Sequence, residues 1–449
     1  MRHYSPAIRR ICVFVFCLTL TLTLGQGITR FRHVLGATGQ QFINLNEADA
    51  LVHVTLAQRL LNGQGFTLPT TPADGPIGDS QPAYEKAPGY PFFLAVLFRI
   101  TGFGFSFFPL QCLFAGLLSV LVVLISAETF GQQPLAALFA GVGAAVHPVL
   151  VNAASQVYNE DLYFFLFFLC VWLYMRWYRN PSLGLALLCG YCAGVTALVR
   201  ESILAPFACL ILLALVSGWR VNRMAALKNA VALGAGLLVV VLPWSIRNYV
   251  VARGEIVPIS TISLYLFGAG NNDCVAVEGW DEPFFGDNPC RILDQQKSEL
   301  LASEHQVSQT ITRSRASSTL ATRWILGHIG GYVKLCVRRA WTVFDPWHRW
   351  QHVTGFKKLY MLLYFLIFVA TGVCGIAWLS IRGLWTFEAV TLAVLLLAMY
   401  APLVLVFVSH DHRFAVGIHV ILACFGGAWL AHFPLVRESR FLKLGKNEV

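Results

Sequence analysis

Long apolar runs separated by short polar joints recur along this chain, at Ile11–Leu24, Phe105–Phe130, Pro134–Ala153, Leu162–Trp177, Leu183–Val199, Ile203–Val216, Ala230–Ile246, Leu359–Ile381, Trp385–Val408 and Phe414–Phe433. In lipid a backbone must satisfy its own hydrogen bonds, so runs of roughly 18 to 24 apolar residues read as spanning helices. The pattern therefore predicts an all-α integral membrane protein, one bundle of about ten transmembrane helices. Gly89–Ile100 is apolar but too short to cross, and reads as a helix lying at the membrane surface.

Two long polar stretches interrupt the rhythm. The first, residues 26–90, is an exterior loop that belongs with the catalytic bundle of residues 1–246. The second, residues 247–358, forms an exterior loop region ahead of the C-terminal helices and tail of residues 359–449. Its Asn, Asp, Gly and Pro content reads as loop up to Pro289. Ile292–Arg323 is polar helix-like sequence, and Ile325–Phe344 reads as an amphipathic helix with Trp341 and Trp347 at headgroup level. No internal repeat of the kind found in many transporters stands out.

Composition agrees with lipid as the main solvent: 57% of residues are hydrophobic and 12% charged, and the mean hydropathy is +0.63. A net charge of +10 could signal nucleic acid, but the basic residues sit in clusters beside apolar runs, which points to anionic lipid. Arg2, Arg9 and Arg10, Arg176 and Arg179, Arg220, Arg223 and Lys228, Arg382, and Arg437, Arg440, Lys443 and Lys446 mark one side. By the positive-inside rule both termini are cytoplasmic, in a multi-pass plasma (bacterial inner) membrane. The first run carries no small-residue cleavage site and reads as an uncleaved helix. Most cysteines lie in apolar runs as packing residues. Cys274 and Cys290 sit in a polar loop, where they either pair or stay free.

The remaining charges gather at the exterior ends of helices: Glu47, Asp49, Glu85, Lys86, Glu160, Asp161, Arg200, Glu201, Arg247, His410, Asp411, His412 and Arg413. Ionisable groups at membrane depth are costly, so a set on one face suits a site where a lipid headgroup meets a polar substrate. Each has a plainer reading. Glu160 or Asp161 caps the helix that follows; Arg200 and Glu201 form a structural ion pair; Arg247 and Arg413 anchor at headgroups; His410 and His412 are solvated. Asn46 or Asp49 caps the helical run from Ala50 to Leu61. Against that, moving a sugar from a phosphate carrier to a hydroxyl needs a carboxylate to take the proton, a role suited to Asp49. It also needs cations for the departing phosphate, for which Lys86, Arg247 and Arg413 are candidates.

Several motifs resemble the polytopic glycosyltransferases of GT-C type that use polyprenyl-phosphate sugars, a superfamily that includes RgtA-like, aminoarabinose and protein O-mannosyl transferases. Asp49-Ala50 followed by Leu60-Leu61, Gly63 and Gly65-Phe66 is similar to the first-loop pattern, with His53 where Tyr is common. Tyr84-Glu85-Lys86, Pro88-Gly89-Tyr90-Pro91, Glu160, Leu242-Pro243-Trp244-Ser245-Ile246-Arg247-Asn248-Tyr249 and His412-Arg413-Phe414 continue the match, which covers residues 8 to 430. The resemblance implies an inverting transferase of the cell envelope with its active site on the exterior (periplasmic) face. It implies Asp49 as catalytic base, Glu85 as a second acid and Lys86 as ligand of the lipid phosphate. Partners would be a polyprenyl-phosphate-sugar donor, a glycan, lipid or protein acceptor and membrane lipids, without nucleic acid. The resemblance implies no fixed cofactor, but some members of the family hold a divalent metal near the first-loop acids, and Glu47, Asp49 and Glu85 are hard oxygen ligands suited to one. Two other classes stay open: a transporter or flippase of a lipid-linked saccharide, and a non-catalytic assembly factor.

Overall fold

The computed structural model describes residues 4–32, 48–69, 80–102, 107–272, 275, 309–342, 344, 355–406 and 412–432. Almost all of these are helical. In chain order they form α1 (Pro6–Arg32), α2 (Ala48–Leu61), a small antiparallel pair β1 (Thr67–Pro69) and β2 (Ser80–Pro82), α3 (Gly89–Thr101), α4 (Phe107–Thr129), α5 (Pro134–Ala145), α6 (Pro148–Ala153), α7 (Glu160–Arg179), α8 (Leu183–Val199), α9 (Leu204–Trp219), α10 (Arg223–Val251) and α11 (Ile262–Gly270). Then come α12 (Gln309–Gly327), α13 (Ile329–Thr342), α14 (Phe356–Tyr364), α15 (Thr371–Arg382), α16 (Phe387–Leu405) and α17 (Val416–Ala431).

Among the described residues six helical stretches are long and apolar enough to cross a membrane: Pro6–Arg30, Phe107–Thr129, Glu201–Trp219, Arg223–Val251, Phe356–Arg382 and Phe387–Leu405. Leu183–Val199 and Val416–Ala431 are apolar but shorter, while α7 has the length and carries charge at both ends. The run Pro134–Ala153, predicted as one span, is two helices. Its break falls at His147, which takes an extended conformation, with φ −66° and ψ 118°, before Pro148. Proline offers no N–H and disfavours helical geometry in the residue before it. The His147 ring accepts a hydrogen bond from the Val149 N–H and so caps the new start.

The loop predicted to run to Pro289 is also corrected, since Ile262–Gly270 folds as a helix packed along α12. The amphipathic segment forms α13, with Trp341 exposed; Trp347, Cys274 and Cys290 lie outside the described residues.

The central packing element is α7, whose Tyr163, Phe164, Phe167, Phe168, Tyr174 and Trp177 are buried among its neighbours. Away from the site, Glu128 of α4 accepts from Tyr4 and pairs with Arg176 at 3.3 Å and Arg179 at 3.5 Å. Arg179 reaches on to Glu388 at 2.9 Å. This network ties the start of α1 to α4, α7 and α16.

Candidate active site

Two glycines end α2. Gly63 and Gly65 have φ of +72° and +73°, the left-handed region in which a Cβ is strained. The chain can therefore double back at once and bury Phe66. Phe66 stands edge-on to Trp244 at 5.0 Å and stacks on Phe92 at 6.1 Å, joining the first loop to α10 and α3.

The Pro-Trp-x-x-Arg-Asn motif of α10 completes this clamp. The Arg247 guanidinium lies over the Trp244 ring at 4.9 Å and donates to the Phe66 carbonyl at 3.3 Å. Trp244 Nε1 donates to the Ile259 carbonyl at 3.0 Å, and Asn248 Nδ2 to the carbonyls of Val257 and Ile259. The held segment in turn brings Ser260 to Glu201 at 3.1 Å and the Thr261 N–H to the Tyr84 carbonyl at 2.7 Å. Tyr84 is thereby fixed two residues before Lys86.

Gly89 sets the second contact. A Cβ there would lie 2.7 Å from the Leu198 carbonyl carbon and 2.8 Å from its oxygen. Only a residue without that atom lets α3 start against the end of α8.

Between these anchors the charges converge. Asp49 sits in the first turn of α2. Lys86 Nζ lies 2.5 Å from its Oδ1, and the Arg413 guanidinium reaches its Oδ2 at 3.3 Å. Arg413 Nε also lies 3.7 Å from Glu160 Oε1, which Arg200 contacts at 3.3 Å. The row of alternating signs, Lys86, Asp49, Arg413, Glu160 and Arg200, is assembled from α2, the turn before α3, the start of α7, the end of α8 and the turn before α17. Glu160 keeps only 1% of its side chain exposed and Asp49 keeps 39%. Glu160 is thus an internal strut for the two arginines, whereas a substrate can reach Asp49.

Burial alone would raise the Asp49 carboxyl, but Lys86 and Arg413 outweigh it and hold the group well below the usual carboxylate range. One turn further along α2, His53 is buried edge-on to Tyr90 at 5.0 Å. Burial, joined by the charge of Lys86, pushes its ring down to about 3, so it is a neutral packing residue at pH 7.

Not every candidate joins the group. Arg200 and Glu201, predicted as a possible pair, separate: Arg200 turns to Glu160 and Glu201 accepts from Ser260 and Ser263. Arg247 contacts the clamp described above. Glu85 is exposed, and among the described residues no three His, Cys, Asp or Glu side chains converge on a metal position. Both Asp49 oxygens are met by cations, an arrangement that does not fit a divalent ion. Glu47 and the side chain of His412 lie outside the described residues.

Sequence reasoning missed Tyr158, whose ring stacks under the Arg413 guanidinium at 4.8 Å. Its signal was an aromatic residue two positions before Glu160. The full burial of Asp161, whose oxygens find no hydrogen-bond partner among the described residues, had no signal beyond its place beside Glu160.

Around this site, residues 85–246 match the family model described as dolichyl-phosphate-mannose-protein mannosyltransferase. That segment holds Lys86, Glu160 and Arg200 and ends one residue before Arg247; Asp49 and Arg413 lie outside it. No curated protein matches the chain. Among solved structures it is similar to the crystal structure of ArnT from Cupriavidus metallidurans bound to undecaprenyl phosphate, with 15% identity over 84% of this chain and 72% of that one and a TM-score of 0.35.

Proposed function

We propose that this protein is a membrane glycosyltransferase that moves a sugar from a polyprenyl-phosphate donor to the hydroxyl of an acceptor on the exterior face of the membrane, with both termini in the cytoplasm. The observation that carries the reading is a reachable carboxylate, Asp49, bracketed by two cations that come from opposite ends of the chain. Asp49 takes the acceptor's proton as the acceptor oxygen bonds to the sugar's anomeric carbon. The bond from that carbon to the phosphate oxygen breaks, and Lys86 and Arg413 receive the charge left on the carrier phosphate. Glu160 and Arg200 hold Arg413 in place. The motif resemblance and the family match over residues 85–246 support the same chemistry. Arg247, in this reading, holds the first loop against α10 through Phe66 and Trp244 and does not contact the phosphate.

The test is transfer of radiolabelled sugar from defined polyprenyl-phosphate donors by purified, reconstituted protein. Transfer that disappears in Asp49→Asn while the variant stays monodisperse supports the reading; full activity in that variant overturns it.

A further inference from the structure

Lys86 and Arg413, the two cations that suit a donor phosphate, both hold Asp49 in the described arrangement. Lys86 Nζ contacts Oδ1 and Arg413 contacts Oδ2, so each carboxylate oxygen has one partner. A carboxylate carries one negative charge over two oxygens, and a phosphate group presents a similar anionic edge to the same cations. The two anions therefore compete for one pair of partners. Glu160 does not join that competition: it is buried and fixed on Arg200, and touches Arg413 through Nε rather than through the nitrogens that face Asp49.

We infer that the Asp49 carboxylate is a stand-in for the donor phosphate, and that the arriving phosphate takes over Lys86 and Arg413 and frees Asp49 to act as a base. This rests on the transferase reading above and adds a gate to it. Without donor, Asp49 is bound to two cations and is a poor proton acceptor. With donor, the cations turn to phosphate, the carboxylate loses the interactions that held its proton affinity down, and it stands next to the anomeric carbon. The proton of the acceptor hydroxyl then moves to Asp49 while the electron pair of the broken carbon–oxygen bond leaves on the phosphate. The base is armed only when there is a sugar to transfer.

The exchange makes an unusual demand on binding. A catalytic base that merely waits beside the donor should not oppose its binding, whereas a competitor should. In phospholipid-free detergent, purified Asp49→Asn is expected to bind polyprenyl monophosphate, which carries no sugar, about tenfold more tightly than the wild-type protein. Lys86→Met should weaken binding in both backgrounds and shrink the gain. Unchanged or weaker binding in Asp49→Asn overturns the inference. A measurement on the wild-type chain guards against a variant that fails to fold: adding polyprenyl monophosphate should shift a carboxylate stretching band in the infrared difference spectrum, and a spectrum without carboxylate change also overturns the exchange. Tighter binding in the variant together with no sugar transfer by the wild-type protein from any donor would leave the exchange standing and sink the transferase reading. Transfer by the wild type without the gain in binding would do the reverse.

Discussion

Lys86 Nζ lies 2.5 Å from Asp49 Oδ1 across 37 positions of sequence, so the start of α2 and the turn before α3 close on each other. The contact joins the residue suited to take a proton to a residue suited to hold phosphate.

Replacing either partner should separate their roles. Asp49→Asn is expected to lower the turnover number by about 10² to 10⁴, the usual worth of a positioned base. Lys86→Ala should chiefly raise the apparent donor KM. Steady-state kinetics in reconstituted membranes check the split, and a Lys86 variant with wild-type KM would remove that lysine from the donor site.

Glu160 is the only carboxylate that bridges Arg200 and Arg413 among the described residues. Glu160→Gln removes the buried carboxylate charge that faces both guanidinium groups, at a cost of about 3 to 5 kcal/mol. The melting temperature in detergent should fall sharply. A variant as stable as wild type would show that Glu160 is not the strut described above.

Gly89→Ala puts a Cβ 2.7 Å from the Leu198 backbone, so α3 must move away from α8. The expected destabilisation is about 1 to 3 kcal/mol, with activity falling further than stability because Lys86 moves with the helix. Thermal unfolding and transfer assays on one preparation check both.

His53 provides a pH test. Its ring is pushed down to about 3 in the folded chain, against about 6.5 for an ordinary histidine. Between those values the unfolded chain binds a proton that the folded chain refuses, so stability falls as pH drops below about 6.5, by up to about 1.4 kcal/mol per pH unit. His53→Phe, which keeps a ring against Tyr90, should flatten that decline. Equal acid sensitivity of the two proteins between pH values of about 6.5 and 4.5 would contradict the buried neutral ring.

Arg247→Lys keeps the charge and loses the planar group over Trp244. It should loosen the Phe66 clamp and lower the melting temperature while leaving the donor KM close to wild type. A large rise in KM with unchanged stability would return Arg247 to the phosphate.

The sequence by itself determined the solvent, the helical class and the position of most helices, because apolar runs of spanning length leave the backbone no alternative in lipid. It also located Asp49, Lys86, Glu160, Arg200 and Arg413, since charge beside an apolar run is costly enough to be conspicuous. Tertiary structure alone decided who meets whom. Arg200 looked paired to its neighbour Glu201, yet adjacent residues leave a helix end in different directions, and the guanidinium turned to Glu160 on another helix. Arg247 looked like the other cations and became part of a clamp because Phe66 and Trp244 face it. Asp49 and Arg413 are 364 positions apart, and no local pattern encodes a contact that only the packing of α2, α7 and α17 brings about.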